Sequence, residues 1–404
     1  MVARALLDEL TFGTISRRER PVASHVPYTR HVDDNIIKTR DGLVMTVLKL
    51  DGYSFETSDM SEVNARLLGR NDVVRTLANS RFALTAHIIR REVQPRIEST
   101  FDNVLCRELD ERYDAALSKR RMFVNDLYLT IIRRPLQGQA GTFDAMLTKV
   151  LGRKDAGGES VARQTALNEL RDAATAVREN LAGYGARQLG VVRREGVWFS
   201  EPLEFLVQIL NGGIPRPMAL PRMDIADALS LKRLFFGRNA IEVRGAGPED
   251  SRFAAMVAIR EYPAQTGPGS FDNLLRVPHE FIAAQSFAIV DRPEAAKQID
   301  RVSRQVDMSD EAGSIVAEHL DDARDELLAS EAIYGEHHMT VMCLGRDLAE
   351  VGAAVTAVGA ALTDRSVIWV REDLNCEPSF WAQLPGNFGY IARKAIISSK
   401  NFAG

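Results

Sequence analysis

Apolar and polar positions alternate with a period of two in several short runs and recur at helical spacing in others, and the two patterns take turns along the chain. Ile36-Ile37 and residues 43–50 read as strands separated by the turn signal Arg40-Asp41-Gly42. Ser61 and Glu62 open a helix that runs to about residue 79, with Val63, Leu67, Val74 and Leu77 on one side. A strand over 82–91, a helix over 101–119 and a strand over 122–133, ended by Pro135, complete the order strand, strand, helix, strand, helix, strand. Each strand-helix-strand step favours a right-handed crossover, so the last three strands are expected to lie parallel in one sheet.

Residues 152–160 read as a glycine-containing loop into a helix over 161–181, which Gly183 can cap. A strand over 186–194 turns at Gly196 into Trp198-Phe199, and 204–210 looks helical. Gly212, Gly213, Pro215, Pro217 and Pro221 keep 211–223 out of regular structure. Beyond Ile241 the first order recurs: strands at 252–262 and 281–291, a helical stretch over 293–333, a strand at 337–344, a helix at 348–362 and a strand at 366–371. The recurrence is one of architecture, because no residues match at a fixed period. The expected fold is mixed α/β. Two sheet-and-helix subdomains with mixed sheets, 31–150 and 236–375, are joined by a helical and Pro/Gly-rich middle over 151–235. An arm over 1–30, with Arg17, Arg18 and Arg20, precedes them, and a strap over 376–404 follows.

Length and composition narrow the function classes. A chain of 404 residues suggests two or three units. A hydrophobic share of 45%, a charged share of 26% and a formal net charge of −4 describe an ordinary globular protein rather than a strongly basic nucleic-acid binder. No strand carries the exposed aromatic pattern of RNA-recognition modules, so nucleic acid is an unexpected partner. Cys106, Cys343 and Cys376 are widely spaced with no C-x-x-C pair, which fits a reducing cytosol. Residues 1–10 carry Asp8 and Glu9 and do not read as a signal peptide. The longest weakly polar stretch, 351–362, is short of the ~20 residues that span a bilayer. Contact with a membrane is therefore expected to be peripheral or through a partner.

Candidate chemistry is sparse. Glu336, His337 and His338 invite a metal reading, but adjacent strand residues point to opposite faces and cannot easily share an ion. His279-Glu280 begins like a zinc-protease helix, yet Ala283 stands where the second His belongs. These histidines read as structural, and no catalytic, cofactor or metal residue is assigned. Arg90, Arg91, Arg133 and Arg134 end strands; if those strands run parallel, the four share one sheet edge that would face anionic lipid or an acidic partner. Each would add about 1 kcal/mol near an anionic bilayer, while the plainer alternative is a locally paired surface.

Residues 307–331 hold nine acids against Arg324. Val316, Leu320, Ala323 and Leu327 form an apolar stripe there, and a preceding helix with Ile299, Val302 and Val306 can pack along it as a hairpin. The stripe either buries against its own sheet or stands out, presenting Asp321, Asp322 and Asp325 to a neighbouring subunit.

The last stretch is an aromatic strap: Phe380 and Trp381 lead into the Pro385-Gly386 turn, and Phe388 and Tyr390 follow. The run Trp381-Ala-Gln-Leu-Pro-Gly-Asn-Phe388, with 396–402 behind it, resembles the large ATPases of type IV secretion and conjugation machines, the CagE/TrbE class. Residues 101–111, 125–129, 202–206 and 335–338 agree, so the likeness covers nearly the whole chain. In that class a G-x-x-x-x-G-K-[ST] loop holds ATP and Mg²⁺. No Gly here is followed by Lys. The resemblance therefore implies a non-catalytic docking and oligomerisation region, with the motor, ATP and Mg²⁺ belonging to downstream sequence of the full-length parent. It implies a hexameric parent, peripheral at the cytoplasmic face of the bacterial inner membrane, that energises pilus assembly and transfer of DNA or protein. The implied partners are inner-membrane channel components, companion secretion ATPases and other copies of itself, with an anionic membrane surface as a further contact. A stand-alone α/β adaptor without a motor is the alternative.

Overall fold

The computed structural model describes residues 20–54, 58–77, 79, 81–94, 100–134, 156–263, 266–307, 323–329 and 331–404. Its first part holds β1 (Tyr28–Asp33), β2 (Ile36–Thr39), β3 (Val44–Leu50), α1 (Met60–Thr76), β4 (Phe82–Val93), α2 (Val104–Leu117), β5 (Met122–Arg133) and α3 (Ala156–Asn180). The middle holds β6 (Arg187–Gln188), β7 (Val191–Arg194), β8 (Val197–Ser200), α4 (Glu201–Leu210) and α5 (Ile225–Leu229). Then come β9 (Arg233–Phe236), β10 (Ile241–Arg244), β11 (Arg252–Glu261), β12 (Phe281–Ile289), α6 (Arg292–Asp307), β13 (Tyr334–Gly345), α7 (Leu348–Thr363) and β14 (Ile368–Arg371). The chain closes with α8 (Cys376–Trp381), β15 (Ala395–Ser398) and α9 (Ser399–Ala403).

The fold is mixed α/β. Thirteen of these strands form one sheet in the order β1-β2-β3-β5-β4-β12-β13-β11-β10-β9, with β6 beside β3, β14 beside β11 and β15 beside β13; β7 and β8 form a separate hairpin. The central strands are apolar on both sides because both faces are covered. Leu84, Ile131 and Phe287 point to a first face, under Val73 and Val74 of α1 and Leu170 and Val177 of α3. On the same face Phe281 and Val341 lie under Val351 and Val358 of α7. Met45, Ile132, Ile282 and Met342 point to the second face, under Leu203 and Phe205 of α4, Ile225 of α5 and Phe380 and Trp381 of α8. Within the middle of the chain, α4 and α5 thus cover the second face, while α3 joins the cover of the first. Ser200, whose hydroxyl accepts from Leu203 N–H, and Pro202 in the first turn start α4 where that cover is needed.

The parallel arrangement expected for the first subdomain is corrected. β3 and β4 run in one direction, but β5 lies between them and pairs antiparallel with both. A parallel β4-β5 step needs a helix that crosses back over the sheet. None of the residues of α2 is buried, so it provides no such packed crossover, and the chain simply reverses. The recurrence is present but displaced by one strand. β3, β4 and β5 correspond in position to β11, β12 and β13, mirrored across a β4–β12 seam whose register runs from Phe281↔Arg90 to Ala288↔Ala83. The β9–β10 hairpin then matches β1–β2. It escapes a sequence reading because each of its strands has only four residues, and β9, at the edge of the sheet, has none of them buried. Among the described residues no helix is long and apolar enough to cross a membrane.

Candidate functional site

The strand reversal separates the arginine pairs. Arg91 lies opposite Val124 and Arg133 opposite Phe82, so the two pairs sit at opposite ends of the β4–β5 ladder and share no edge. Each is engaged locally. Arg90 is buried, donating from Nε to the Val277 carbonyl (2.7 Å) and from Nη1 to Asn125 Oδ1 (3.0 Å). Arg91 pairs with Asp126 (2.7 Å) and Arg133 with Glu169 (3.0 Å). Arg134 is buried and donates to the Phe82 and Ile289 carbonyls (3.2 and 2.8 Å); burial brings its guanidinium down to about 10. The basic edge is therefore replaced by strand-end locks.

Of the acidic candidates, Asp321 and Asp322 lie outside the described residues, and Asp325 is exposed on the helical turn 323–329. Leu327 packs with Ala295, Ile299 and Tyr334, with Ala323 against them, so that part of the stripe is buried on its own body and Ile299 is its hairpin partner. Arg324 pairs with Asp300 (3.5 Å), and Lys400 of α9 with Glu326 (2.8 Å). The side chains of Val302, Val306, Val316 and Leu320 lie outside the described residues.

The strap is woven into the second face over 376–390, and its end returns to the first, where Ile397 and Phe402 pack against the core. Phe380, Trp381 and Pro385 are buried, and the His25 ring stacks on Trp381 with centroids 4.6 Å apart. The Tyr28 hydroxyl donates to the Pro385 carbonyl (2.8 Å), and Asn387 donates to the His25 carbonyl (3.0 Å). Phe388 is half buried, its ring 5.7 Å from the Arg134 guanidinium. Gln383 donates to Thr340 Oγ1 (2.9 Å), and His87 Nε2–H donates to the Gln383 carbonyl (2.8 Å). Burial holds His87 neutral, with its pKa lowered to about 4. Glu372, only 2% exposed, is paired with Arg393 at 2.8 Å. The histidine pair divides as its strand position requires. On one face the Tyr262 hydroxyl donates to His337 Nδ1 (2.6 Å), and on the other His338 Nδ1–H donates to the Arg393 carbonyl (2.7 Å).

Two features lie outside the sequence-derived candidates. The first is α2. Asn103 caps it by accepting from Leu105 N–H (2.9 Å), and Glu108 and Arg112 pair one turn apart (2.9 Å). Leu105 is 74% and Leu109 70% exposed, with Phe101, Val104 and Tyr113 exposed beside them. The less exposed positions on the helix are Asp110, Asp114 and Leu117. The apolar stripe thus faces away from the body, the reverse of a core helix. Its sequence signal is the spacing of four through Phe101, Leu105, Leu109 and Tyr113.

The second is a groove of about 480 Å³ on the first face, spanning the region beside the seam. Ala86, Ile88, Leu127 and Leu129 line it from the sheet, and Met60, Val63, Arg66 and Arg70 line it from α1. It exists because the N-terminal half of α1 stands off the strands, while Val73 and Val74 near its other end are buried. Arg66 lies over the Tyr53 ring at 3.4 Å, and Arg70 donates to the Ala403 carbonyl (2.7 Å). A cavity of about 440 Å³ under the strap, lined by Arg134, His338, Glu336 and Lys394, is of mixed charge, with Lys394 and Glu336 paired at 2.9 Å.

Comparison with known proteins follows the same two halves. Residues 35–140 match the type IV secretion system ATPase VirB4/TrbE N-terminal domain, and residues 187–393 match the CagE, TrbE, VirB family, component of type IV transporter system. The type IV secretion system protein virB4 of Bartonella henselae is 32% identical over 96% of this chain and 49% of its own length. Protein virB4 of Rhizobium radiobacter is 29% identical over 97% of this chain and 49% of its own. The type IV secretion system protein PtlC of Bordetella pertussis is 27% identical over 98% of this chain and 48% of its own. The chain spans about half the length of the curated relatives it matches.

Proposed function

The chain belongs to the CagE, TrbE, VirB family of type IV transporter components, and from that premise we propose that it is the docking and self-association region of a type IV secretion ATPase. The parent would act at the cytoplasmic face of the bacterial inner membrane, energising pilus assembly and transfer of DNA or protein. This region grips the inner-membrane channel components, companion ATPases and other copies of itself, while ATP and Mg²⁺ are bound by a separate part of the parent. Within these 404 residues no Gly precedes Lys, so the sequence offers no loop of the G-x-x-x-x-G-K-[ST] form.

The observation that carries the docking role is α2, none of whose residues is buried and whose Leu105 and Leu109 face outward. Apolar surface gains about 25 cal/mol per Å² when removed from water, so such a stripe favours a partner surface. The test is competition in cells. Expressed in excess beside an intact secretion system, the 404-residue chain should lower substrate transfer by occupying the parent's sites, and the Leu105→Asp/Leu109→Asp chain should do so much less. The purified chain should hydrolyse ATP at background rates. Mg²⁺-dependent turnover by this chain, or transfer untouched by an excess of it, would overturn the docking role.

A further inference from the structure

We propose that the cavity under the strap is a binding site for inorganic phosphate, held as hydrogen phosphate by Arg134, Ser286 and His338. This site goes beyond the docking role and stands or falls independently of it.

The site begins as a file of polar side chains in an apolar face. Thr130, Thr85, Ser286 and His338 lie opposite one another in turn on β5, β4, β12 and β13, and all four are buried. Ile132, Ala83, Ile282 and Met342 share those strands and that face. Buried polar groups are nearly always hydrogen-bonded. At its β12–β13 end the file opens into the cavity of about 440 Å³, which Ser286 and His338 line together with Arg134. His338 is 5% and Ser286 9% exposed. Among the described residues neither His338 Nε2 nor the Ser286 hydroxyl has a hydrogen-bond partner.

The tautomer of His338 fixes what a ligand has to offer. Nδ1–H is given to the Arg393 carbonyl, an oxygen that can only accept. Burial lowers the pKa of the ring from 6.5 and keeps it neutral at pH 7. Nε2 therefore presents a lone pair and calls for a donor. The charges are graded from inside to outside. Arg134 is buried, whereas Lys394 and Glu336 are partly exposed and paired at 2.9 Å, and Asp41 is exposed at the rim. An anion that still carries an O–H meets both demands. Hydrogen phosphate gives its O–H to Nε2, while its other oxygens accept from the Ser286 hydroxyl and the Arg134 guanidinium.

Other occupants fit less well. Sulfate has the same shape but no O–H at neutral pH, and a phosphate monoester loses most of its own above a second pKa of about 6. A metal ion would meet one imidazole and the positive charge of Arg134. Water can serve Nε2 and Ser286, yet it brings no charge against the burial cost that lowers Arg134 to about 10.

The test is the thermal midpoint of the 404-residue chain at neutral pH and constant ionic strength, titrated with inorganic phosphate, sulfate or methyl phosphate. A ligand that binds the folded state alone raises the midpoint as its concentration grows past its Kd. Inorganic phosphate is expected to do so, with sulfate and methyl phosphate weaker by about tenfold or more because Nε2 is left without its donor. Ser286→Ala, a near-isosteric change, should weaken phosphate by about tenfold. His338→Leu should bring phosphate and sulfate to similar affinities; if that variant does not fold, the three anions and Ser286→Ala decide the matter. Equal effects of the three anions on the unaltered chain would mean a general surface response and would overturn the inference. So would the lack of any phosphate effect, which would leave water as the partner of the file. Phosphate binding undiminished in Ser286→Ala would put the site elsewhere and overturn it as well.

Discussion

His87 is the residue on which strap and sheet meet, and its environment makes a pH prediction. It sits buried on β4 against the edge of Phe205, with Nε2–H given to the Gln383 carbonyl. Burial lowers its pKa from 6.5 to about 4. Between those values the unfolded chain binds a proton that the folded chain refuses, so the stability His87 contributes is full above about pH 6.5 and is lost as pH falls toward 4. The loss is on the order of 3 kcal/mol at the acid end. His337, lowered to about 3 by burial and by His338, acts with the same sign. Thermal midpoints at pH 6.5 and 4.5 should therefore differ less in His87→Phe than in the unaltered protein, and equal drops would refute the assignment. This burial was not legible in the sequence, where His87 is one polar residue in an apolar strand. The arginines were legible as charges, but not their partners. Asn125 and Asp126 come from the neighbouring strand β5 and Glu169 from α3, so the pairings depended on a strand direction that the sequence pattern left open.

Two helices separate what periodicity reveals from what it hides. The spacing of Phe101, Leu105, Leu109 and Tyr113 tells which side of α2 is apolar and nothing about which side meets the sheet. α8 is the converse: six residues, too short for any period, yet Trp381 is fully buried and stacked on His25. Aromatics beside a Pro-Gly turn were sufficient to mark this stretch as anchored. That its anchor is the N-terminal segment around His25 and Tyr28 depends on contacts across nearly the whole chain. The contrast sets paired expectations for thermal or chemical denaturation. Trp381→Ala should cost about 3–5 kcal/mol, through lost burial and a cavity left in the second-face core. Leu109→Asp should stay within about 0.5 kcal/mol, because the side chain already faces water. A destabilisation by Leu109→Asp comparable to that of Trp381→Ala would mean that α2 is packed on its own body.

At the scale of the molecule, the elements of both halves were largely legible, and their union was not. Hydrophobic runs locate β4 and β12, but nothing local says that they pair with each other across nearly two hundred residues of chain. The eight residue pairs of that seam make one sheet of two halves. The second-face core is shared as well, since Met45 and Ile132 from one half join Ala254 and Met342 from the other in a single cluster. Splitting the halves would exchange the backbone hydrogen bonds of two buried strands for bonds to water, at a modest net cost, and would open that apolar cluster to water, at a larger one. The described body should therefore unfold as one cooperative unit despite its length. Trp198 reports on the β7–β8 hairpin beside the first half and Trp369 on the edge strand of the second. Urea curves from variants that carry Trp381→Phe and keep only one of these two tryptophans should share a midpoint with each other and with far-ultraviolet circular dichroism. Two separated transitions, each with a smaller dependence on denaturant than the whole, would show that each half is stable alone and that the seam is a contact between domains rather than the middle of one sheet.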